Sequence, residues 1–291
     1  MLRLLALSSL LLAASVPAPS ATPGFTVVDD AGRKVTLARV PQRIVSIAPG
    51  ATEMLFAAGA GQRVIATSEF SDEPAEAKKI PRIGDSNAID MERVVALQPD
   101  VVVVWEGGSN AAQVNRLESL HVPLYRQKVE KLTDIPVSLR RLGALADTRA
   151  IADKAALDIE TRLARLEKRY GKSTGPTVLL EVWNRPIYTV GATHMMTDSL
   201  RLCGARNVFA DLKDQGPSID TEAIIGRDPD IIVAVAPPGV AREWLAEWKR
   251  FGTMRAVKNG RLVPFEDQRL SRLGPSAIAG TEALCEAINR R

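Results

Sequence analysis

The chain has 291 residues, 46% of them hydrophobic, and a formal net charge of +4. This length exceeds the size at which one hydrophobic core usually keeps growing, so two domains are expected. Lys and Arg are interspersed with Asp and Glu instead of gathered in a block with aromatic residues, which argues against a nucleic-acid partner.

The first 21 residues have the pattern of a secretory signal peptide. Arg3 precedes an apolar stretch from Leu4 to Val16, and small residues and prolines follow it. The stretch is too short to span a bilayer comfortably, and no later segment approaches the roughly 20 apolar residues of a membrane helix. We therefore expect a soluble protein exported to the periplasm. Because no Cys lies near the cleavage region, a lipid anchor is not expected.

Residues 22–133 alternate between strand and helix patterns and are predicted to form a first α/β lobe. An arm that resembles a β-hairpin comes first, at residues 25–42. Strands are then predicted at 43–49, 63–68, 100–105 and 123–128, and helices at 50–60, 90–98 and 109–121. Such alternation predicts a mostly parallel sheet flanked by helices.

Residues 134–173 are predicted to be a linking region with a long backbone helix, because they carry almost no strand signal. Apolar residues recur there at steps of three and four, which predicts one long amphipathic helix. These residues are Ile151, Ala155, Ile159, Leu163, Leu166 and Tyr170. At about 1.5 Å per residue, a helix over 148–170 would be about 34 Å long, enough to run the height of a domain.

Residues 174–291 are predicted to form a second α/β lobe, and they contain a near copy of a segment in the first. "IDMERVVALQPDVVVV" begins at Ile89, and "IDTEAIIGRDPDIIVAV" begins at Ile219. Each copy predicts a short amphipathic helix, a Pro-Asp helix end and a buried strand. The repetition indicates two lobes built on a common plan. The alternative is that a helix-Pro-Asp-strand junction is a general way of ending a helix.

The two cysteines of the chain, Cys203 and Cys285, both lie in the second lobe. Export and their even number predict a disulfide between them. It would fasten the last helix to the helix that ends in "RLCG" and would contribute on the order of 2 to 5 kcal/mol. The alternative is a pair of buried free thiols.

Candidate ligand-binding residues follow the predicted strands, because ligands of open α/β sheets bind beyond the carboxyl ends of the strands. Large flat side chains with a few polar groups are typical of a small-molecule cleft. The alternative is ordinary packing of strand ends. The candidates are Trp105, Glu106, Gly107, Trp183, Asn184, Arg185, Tyr188, Phe265, Arg269 and Arg272.

Catalytic motifs are mostly absent from the sequence, which contains neither a G-x-S-x-G elbow, nor an H-E-x-x-H helix, nor a phosphate-binding G-x-x-x-x-G-K-[ST] loop. With only His121 and His194, a His-rich site for a transition metal cannot be assembled, whereas a carboxylate-dominated site stays open as an alternative. We predict neither a metal nor a cofactor. Two other classes stay open. An exported enzyme could use Asp72, Asp85 or Glu106 as acid or base, and a scaffold protein would bind no small molecule.

Several segments together resemble one known family. They are "RIVSIAPGATEMLFAAGAGQRVIATSEFSD" from Arg43, "IPRIGDSNAIDMERVVALQPDVVVVW" from Ile80, the long central helix and "HMMTDSLRLCGARNVFAD" from His194. The chain from about Arg43 onward is similar to the helical-backbone (class III) substrate-binding proteins of ABC importers, particularly the periplasmic cobalamin-binding type.

This resemblance implies two α/β lobes joined by a rigid helix, a ligand held between them, and no catalytic step. It implies delivery, as a monomer, to an ABC permease dimer with its ATPase subunits. In the family, one Glu on each lobe meets arginines of the permease, and the matching residues are Glu92 and Glu222. The family's disulfide matches Cys203 and Cys285.

The predicted pocket departs from the cobalamin-binding type. Where those receptors have a Trp shortly before each docking Glu, this chain has Ser86 and Gly216. We therefore predict the pocket from position, with the set Phe70, Ser86, Trp105, Trp183, Tyr188, Gly216 and Arg269. A ferric-siderophore receptor is the alternative, because Arg185, Arg269 and Arg272 could meet an anionic chelate. A haem receptor of this fold often has a Tyr ligand near residue 85, where this chain has Asp85.

Overall fold

The computed structural model describes residues 24–85, 88–171 and 175–290, so the predicted signal peptide lies outside the described residues. Strands β1 (Phe25–Val28) and β2 (Lys34–Leu37) pair antiparallel, which confirms the hairpin. Gly32 has a φ of +79° in the turn between them, a conformation that favours glycine. In the part of the chain that the structure describes, no helix is long and apolar enough to cross a membrane.

The first sheet is parallel and four-stranded, with the order β4-β3-β5-β6. Residues 101–104 are completely buried, as expected for a strand covered by helices on both faces. We call this sheet and the helices around it the first lobe. Its strands are β3 (Ile44–Ser46), β4 (Val64–Thr67), β5 (Val101–Trp105) and β6 (Leu124–Gln127), and its helices are α1 (Pro49–Ala57), α2 (Met91–Ala96) and α3 (Ala111–Ser119).

The linking region contains two helices, α4 (Asp134–Leu145) and α5 (Arg149–Tyr170), and this corrects the expectation of one helix. The long helix itself is confirmed as α5, which has 22 residues. A turn at residues 146–148 separates the two helices. They pack closely, because a Cβ at Gly143 would lie only 2.3 Å from the Ala152 Cβ.

The buried face of α5 differs from the predicted stripe in its first half. Ala152 and Ala156 are buried there, whereas Ile151 is exposed and Ala155 is only partly buried. The close approach of α4 explains the shift, because small side chains fit between two closely packed helices and Ile does not. Farther along the helix, the predicted Ile159, Leu163 and Leu166 are buried.

The second lobe is built on a parallel sheet with the order β10-β7-β12-β13 and a small antiparallel sheet with the order β11-β9-β8. Its strands are β7 (Thr177–Glu181), β8 (Trp183–Asn184), β9 (Ile187–Tyr188), β10 (Arg206–Asn207), β11 (Ser218–Ile219), β12 (Ile231–Val235) and β13 (Leu262–Phe265). Its helices are α6 (Met195–Leu202), α7 (Thr221–Arg227), α8 (Val240–Trp248), α9 (Arg255–Lys258) and α10 (Ser276–Asn289).

Two helices bridge the lobes, α5 and the C-terminal α10. The first half of α10 adds Ala277 and Ile278 to the core of the first lobe, and its second half adds Leu284 to the core of the second. Arg162 of α5 and Glu282 of α10 form a bidentate ion pair of 3.0 and 2.8 Å between the helices. Two rigid connections favour small relative movements of the lobes over wide opening. The predicted domain boundaries stay a prediction.

The predicted disulfide between Cys203 and Cys285 is present. It joins the end of α6 to the second half of α10, which packs in the core of the second lobe. Asn289 adds to this junction by donating hydrogen bonds from its amide to the carbonyl oxygens of both cysteines, at 3.1 and 2.9 Å.

Candidate ligand-binding cleft and repeat helices

A cavity of about 280 Å³ lies where the two lobes meet. Its first-lobe residues lie at or shortly after the carboxyl ends of β3, β4, β5 and β6, and its second-lobe residues follow β13. This is the position at which open α/β sheets bind ligands. We call it the cleft cavity. Its lining residues are Ala48, Pro49, Gly50, Ala51, Phe70, Trp105, Gln127, Gln268, Ser271, Arg272 and Leu273.

Two of the predicted pocket residues, Phe70 and Trp105, line the cleft cavity. Trp105 is the last residue of β5, and the turn after it packs against its ring. The Trp105 backbone N–H donates to Ser109 Oγ at 2.9 Å, and a Cβ at Gly108 would lie 2.0 Å from the Trp105 ring. Phe70 is 71% exposed and has a φ of +64°, which is unusual for an aromatic residue. The structure thus presents one fixed and one exposed aromatic face to the cleft.

Two nitrogen donors of the cleft cavity have no hydrogen-bond partner among the described residues. Nε2 of Gln127 is one, although Gln127 is only 2% exposed, and Nη1 of Arg272 is the other. They come from opposite lobes. An unpaired buried donor is costly, so a ligand that offers acceptor oxygens to both would relieve that cost. Gln127 escaped the sequence prediction because its neighbours indicated only a strand.

The lobes touch directly beside the cavity, at α1 and the start of α10. The buried carboxylate of Glu53 accepts hydrogen bonds from the Ser276 backbone N–H and from its Oγ, the latter at 2.8 Å. Burial raises the pKa of Glu53, and the Ser276 hydrogen bonds oppose that rise. A Cβ at Gly50 would lie 2.7 Å from the Leu273 carbonyl oxygen, so only glycine permits this approach.

Four other predicted pocket residues do not line the cleft cavity: Trp183, Tyr188, Gly216 and Arg269. Trp183 and Tyr188 face each other across the β8–β9 pair, because the chain leaves the parallel sheet after Glu181. Gly216 is exposed, and the Arg269 guanidinium donates to the Asp267 carboxylate. Ser86 lies outside the described residues. The binding role of these five residues stays a prediction.

The proposed acid or base residues also lie away from the lining of the cleft cavity. Asp72 forms an ion pair with Arg82 at 3.0 Å, and Glu106 forms one with Arg126 at 2.9 Å. Asp85 accepts a hydrogen bond from a backbone N–H, that of Ala88, at 2.9 Å. Within residues 24–85, 88–171 and 175–290, no group of three or more His, Cys, Asp or Glu could hold a metal ion.

The repeated sequence forms matching structures, and we call α2 and α7 the repeat helices. Asp90 caps α2 by accepting from the Arg93 N–H at 2.9 Å, and Asp220 caps α7 by accepting from the Ala223 N–H at 2.7 Å. Asp is a favoured residue for this role, because its carboxylate accepts a free N–H group of the first turn. The first Asp of each copy is therefore explained by helix capping.

The Pro-Asp pair after each repeat helix is also structural. Asp100 precedes β5 and accepts from the Arg43 N–H at 2.9 Å, beside the start of β3. Asp230 precedes β12 and accepts from the Thr177 N–H at 2.8 Å, at the start of β7. In both lobes this Asp fastens the start of one strand to its parallel neighbour.

Glu92 and Glu222 differ from the other acidic residues of the repeat. Each lies exposed in the first turn of its helix, and neither takes part in an ion pair or hydrogen bond in the portion of the chain that is described. Interaction with the helix dipole is their one internal contribution, at about 0.3 to 1 kcal/mol. Their recurrence at matching positions thus lacks the structural explanation that the Asp residues have.

Glu181, at the end of β7, is a buried carboxylate that the sequence prediction did not single out. Trp248 Nε1–H donates to one of its oxygens at 2.8 Å, while the other has no partner among the described side chains and backbone. Burial raises its pKa to about 7, and nearby Glu247 adds to the rise. Glu181 lines a small cavity together with Asn184, Thr221, Glu247 and Arg250, among others.

We expect the Glu181→Gln variant to lose less stability than the wild-type protein when the pH rises. The folded-state pKa lies above the ordinary value of 4.5, so stability is fully present below about pH 4.5 and is lost as the pH rises through about 7. Gln stays neutral and can still accept from Trp248. Between pH 5 and pH 8, urea unfolding should show the wild type losing about 2 to 4 kcal/mol relative to the variant. Equal losses would contradict a raised pKa.

The chain is similar in sequence and in structure to known periplasmic binding proteins. A family model described as "Periplasmic binding protein" matches residues 44–268. A vitamin B12-binding protein of Vibrio parahaemolyticus is 30% identical over 257 residues, which cover 87% of this chain and 91% of that protein. The crystal structure of the periplasmic vitamin B12-binding protein of Vibrio cholerae has a TM-score of 0.79 at 26% identity, covering 86% of this chain and 97% of that one. A possible iron-binding periplasmic protein of Staphylococcus epidermidis has a TM-score of 0.74 at 25% identity, covering 87% and 100%.

Proposed function

Since the chain belongs to the family of periplasmic binding proteins, we propose that it captures a corrinoid such as cobalamin between its lobes and delivers it to the permease of an ABC importer. The cleft cavity carries this proposal, because it combines aromatic faces with unpaired donors from both lobes. The relatives named vitamin B12-binding proteins support the choice of ligand.

The chemistry of a corrinoid suits the lining of the cleft cavity. A corrinoid has a large, flat, mostly apolar macrocycle with amide side chains around its rim. Phe70 and Trp105 offer flat apolar surfaces to the macrocycle. Gln127 and Arg272 can donate to amide carbonyl oxygens or to the phosphate of the nucleotide arm. The ligand is larger than this cavity, so we propose that it lies across the open cleft with one edge inserted.

Delivery requires a surface that the permease recognises, and we propose Glu92 and Glu222 for it. A permease dimer presents two equivalent sites, and the repeat helices present two equivalent unpaired carboxylates. The binding protein itself performs no chemical step in this scheme, since ATP hydrolysis by the transporter drives uptake. We further propose export by the signal peptide of residues 1–21, a periplasmic location without a lipid anchor, and a monomer.

A binding experiment tests the function directly. Ligand-free protein is titrated with cyanocobalamin and, in separate arms, with ferric siderophores and haemin, and binding is followed by equilibrium dialysis and absorbance. We expect saturable binding of one cobalamin per chain and weak binding of the other ligands. Tight siderophore or haem binding without cobalamin binding would replace the corrinoid assignment by a different cargo, and turnover of a ligand would argue for an enzyme.

Replacing Trp105 with Ala should weaken cobalamin binding by about 1 to 3 kcal/mol, or roughly 5- to 150-fold in Kd. The ring is held against Gly108 and faces the cavity, so its contact with ligand is lost. Because the ring also packs against the core of the first lobe, the melting temperature of the variant is measured as well. Dialysis against cobalamin measures the effect.

Leu157→Ala, on the exposed side of α5, is the matched control and should bind normally. Trp183→Ala examines whether the ligand also reaches the small antiparallel sheet. If Trp105→Ala bound as tightly as the control, the cleft cavity would not be the corrinoid site.

A further inference from the structure

Arg272 is the one residue with a charged side chain among the described residues that line the cleft cavity. Its Nη1 has no hydrogen-bond partner, and its guanidinium forms no ion pair within the described part of the chain. An uncompensated guanidinium would give the cavity a positive potential and a preference for anionic ligands. The charge preference of the cavity therefore depends on whether an anion of the protein lies close behind Arg272.

The carboxylate of Glu53 lies behind the wall of the cavity that contains Arg272. A Cβ at Gly274, two residues after Arg272, would lie 3.0 Å from Glu53 Oε2. Glu53 is only 7% exposed, and both of its oxygens accept from Ser276, as expected of an ionised carboxylate. Burial raises the pKa of Glu53, and the positive charge of Arg272 opposes that rise, so the two charges interact. Glu53 itself does not line the cavity.

The structural role of Glu53 does not require its negative charge. By accepting from Ser276, Glu53 satisfies donors at the start of α10, and uncharged residues such as Ser and Asn cap helices equally well. A buried carboxylate has a desolvation cost that an uncharged cap avoids, unless a nearby cation compensates it. Arg272 is such a cation, and the charge of Glu53 in turn compensates that of Arg272.

We infer that Glu53 is a specificity-determining residue, whose charge offsets that of Arg272 and makes the cleft cavity favour neutral hydrogen-bond acceptors over anionic groups. This inference rests on the proposed function and narrows its ligand to a corrinoid edge that carries amides. An amide carbonyl oxygen can accept from Arg272 without adding a charge to the cavity. A carboxylate would share the guanidinium with Glu53, so less of its own desolvation cost would be repaid.

The test compares cyanocobalamin with its monocarboxylic acids, in which one peripheral amide has been hydrolysed and the shape is almost unchanged. Equilibrium dialysis at low salt gives the ratio of the two affinities for each variant. Glu53→Gln can still accept from the Ser276 N–H but leaves the Arg272 charge unopposed. The ratio should therefore shift about fivefold to tenfold toward the acid whose carboxylate enters the cavity. Arg272→Gln leaves the Glu53 charge unopposed and should shift the ratio by a similar factor toward the amide.

Three control variants separate the charge of Glu53 from its structural role. Glu53→Gln/Arg272→Gln removes both charges and should return the ratio to the wild-type value, even where its absolute affinities are lower. Ser276→Ala removes a hydrogen bond from Glu53 but no charge, so it should lower the melting temperature and leave the ratio unchanged. Glu73→Gln removes an exposed acid near Glu53 and should also leave the ratio unchanged, because solvent screens that charge.

The inference is overturned if every monocarboxylic acid isomer gives the same ratio with the wild type, Glu53→Gln and Arg272→Gln. An equal shift by Ser276→Ala would also overturn it, because Glu53 would then act through structure alone. If Glu53→Gln does not fold, Glu53→Met provides the same comparison, since Met is also uncharged and similar in length.

Failure of the proposed function is a separate outcome of the same measurements. If the wild type binds haemin or an anionic ferric siderophore instead of cobalamin, the corrinoid assignment fails. The role of Glu53 then requires Glu53→Gln to bind that anionic ligand about fivefold to tenfold more tightly than the wild type. Absence of binding to all of these ligands would overturn both the proposed function and the inference.

Discussion

Replacing Glu92 and Glu222 together with Ala is expected to leave cobalamin affinity unchanged and to abolish stimulation of the transporter ATPase. Neither residue lines the cleft cavity, and both are exposed without an internal partner in the described structure. Ion pairs that become desolvated under a protein interface cost about 2 to 5 kcal/mol when one partner is removed. Two such losses would weaken docking far more than the loss of a solvent-exposed ion pair, which contributes only roughly 0 to 1 kcal/mol. Reconstituted transporter and an ATPase assay measure the effect.

Two other acidic residues provide a matched control for this experiment. Glu76 and Glu243 are exposed in the first turns of a 3₁₀ helix and of α8, one in each lobe. Glu76→Ala/Glu243→Ala should stimulate the ATPase normally. Added salt should weaken the wild-type complex, and the Glu92→Ala/Glu222→Ala variant, which we call the docking variant, should lose most of that salt dependence. If the docking variant instead lost cobalamin affinity and still stimulated the ATPase, the repeat would belong to the ligand site.

Reduction of the disulfide should cost about 2 to 5 kcal/mol of the free energy of unfolding. The bond joins residues separated by 82 positions, and closing a loop of this size restricts the unfolded chain by about 4 to 5 kcal/mol in the chain-entropy description. Both cysteines are buried, and the two sulfur atoms must move apart on reduction, so the loss combines the missing cross-link with local repacking. Urea unfolding with and without reductant at neutral pH measures it.

The Cys203→Ala/Cys285→Ala variant controls for other effects of the reductant. Its stability should be lower than that of the oxidised protein and should not change when reductant is added. Its cobalamin affinity should stay near the wild-type value, because neither cysteine lines the cleft cavity. An unfolding free energy that is the same before and after reduction of the wild-type protein would show that the cross-link contributes nothing.

The repeat that stands out in the sequence has two physical origins. Capping explains Asp90 and Asp220, and the fastening of neighbouring strands explains Asp100 and Asp230. These roles are local, and any lobe with this helix-to-strand connection could use them. The exposed Glu of each copy has no such role, which is why we attribute it to a partner.

Local patterns were enough to predict most of the secondary structure and the fold class of this protein. Three patterns in the sequence indicate which faces of an element are covered by others. They are the apolar run at 101–104, the spacing of apolar residues in α5 from Ile159 onward, and the alternation of strands and helices. The parity of the cysteines in an exported chain predicted the disulfide. These features depend on residues near one another in sequence or on a simple count.

The composition of the cleft and the connection of the lobes depended on packing between distant segments. Gln127 and Arg272 become unpaired donors of one cavity only because β6 and the segment after β13 meet there. Trp183 is drawn away from the cavity lining because a short antiparallel sheet forms after β7. The second bridge arises because one apolar face of α10 divides between two cores, which periodicity along a single helix cannot reveal.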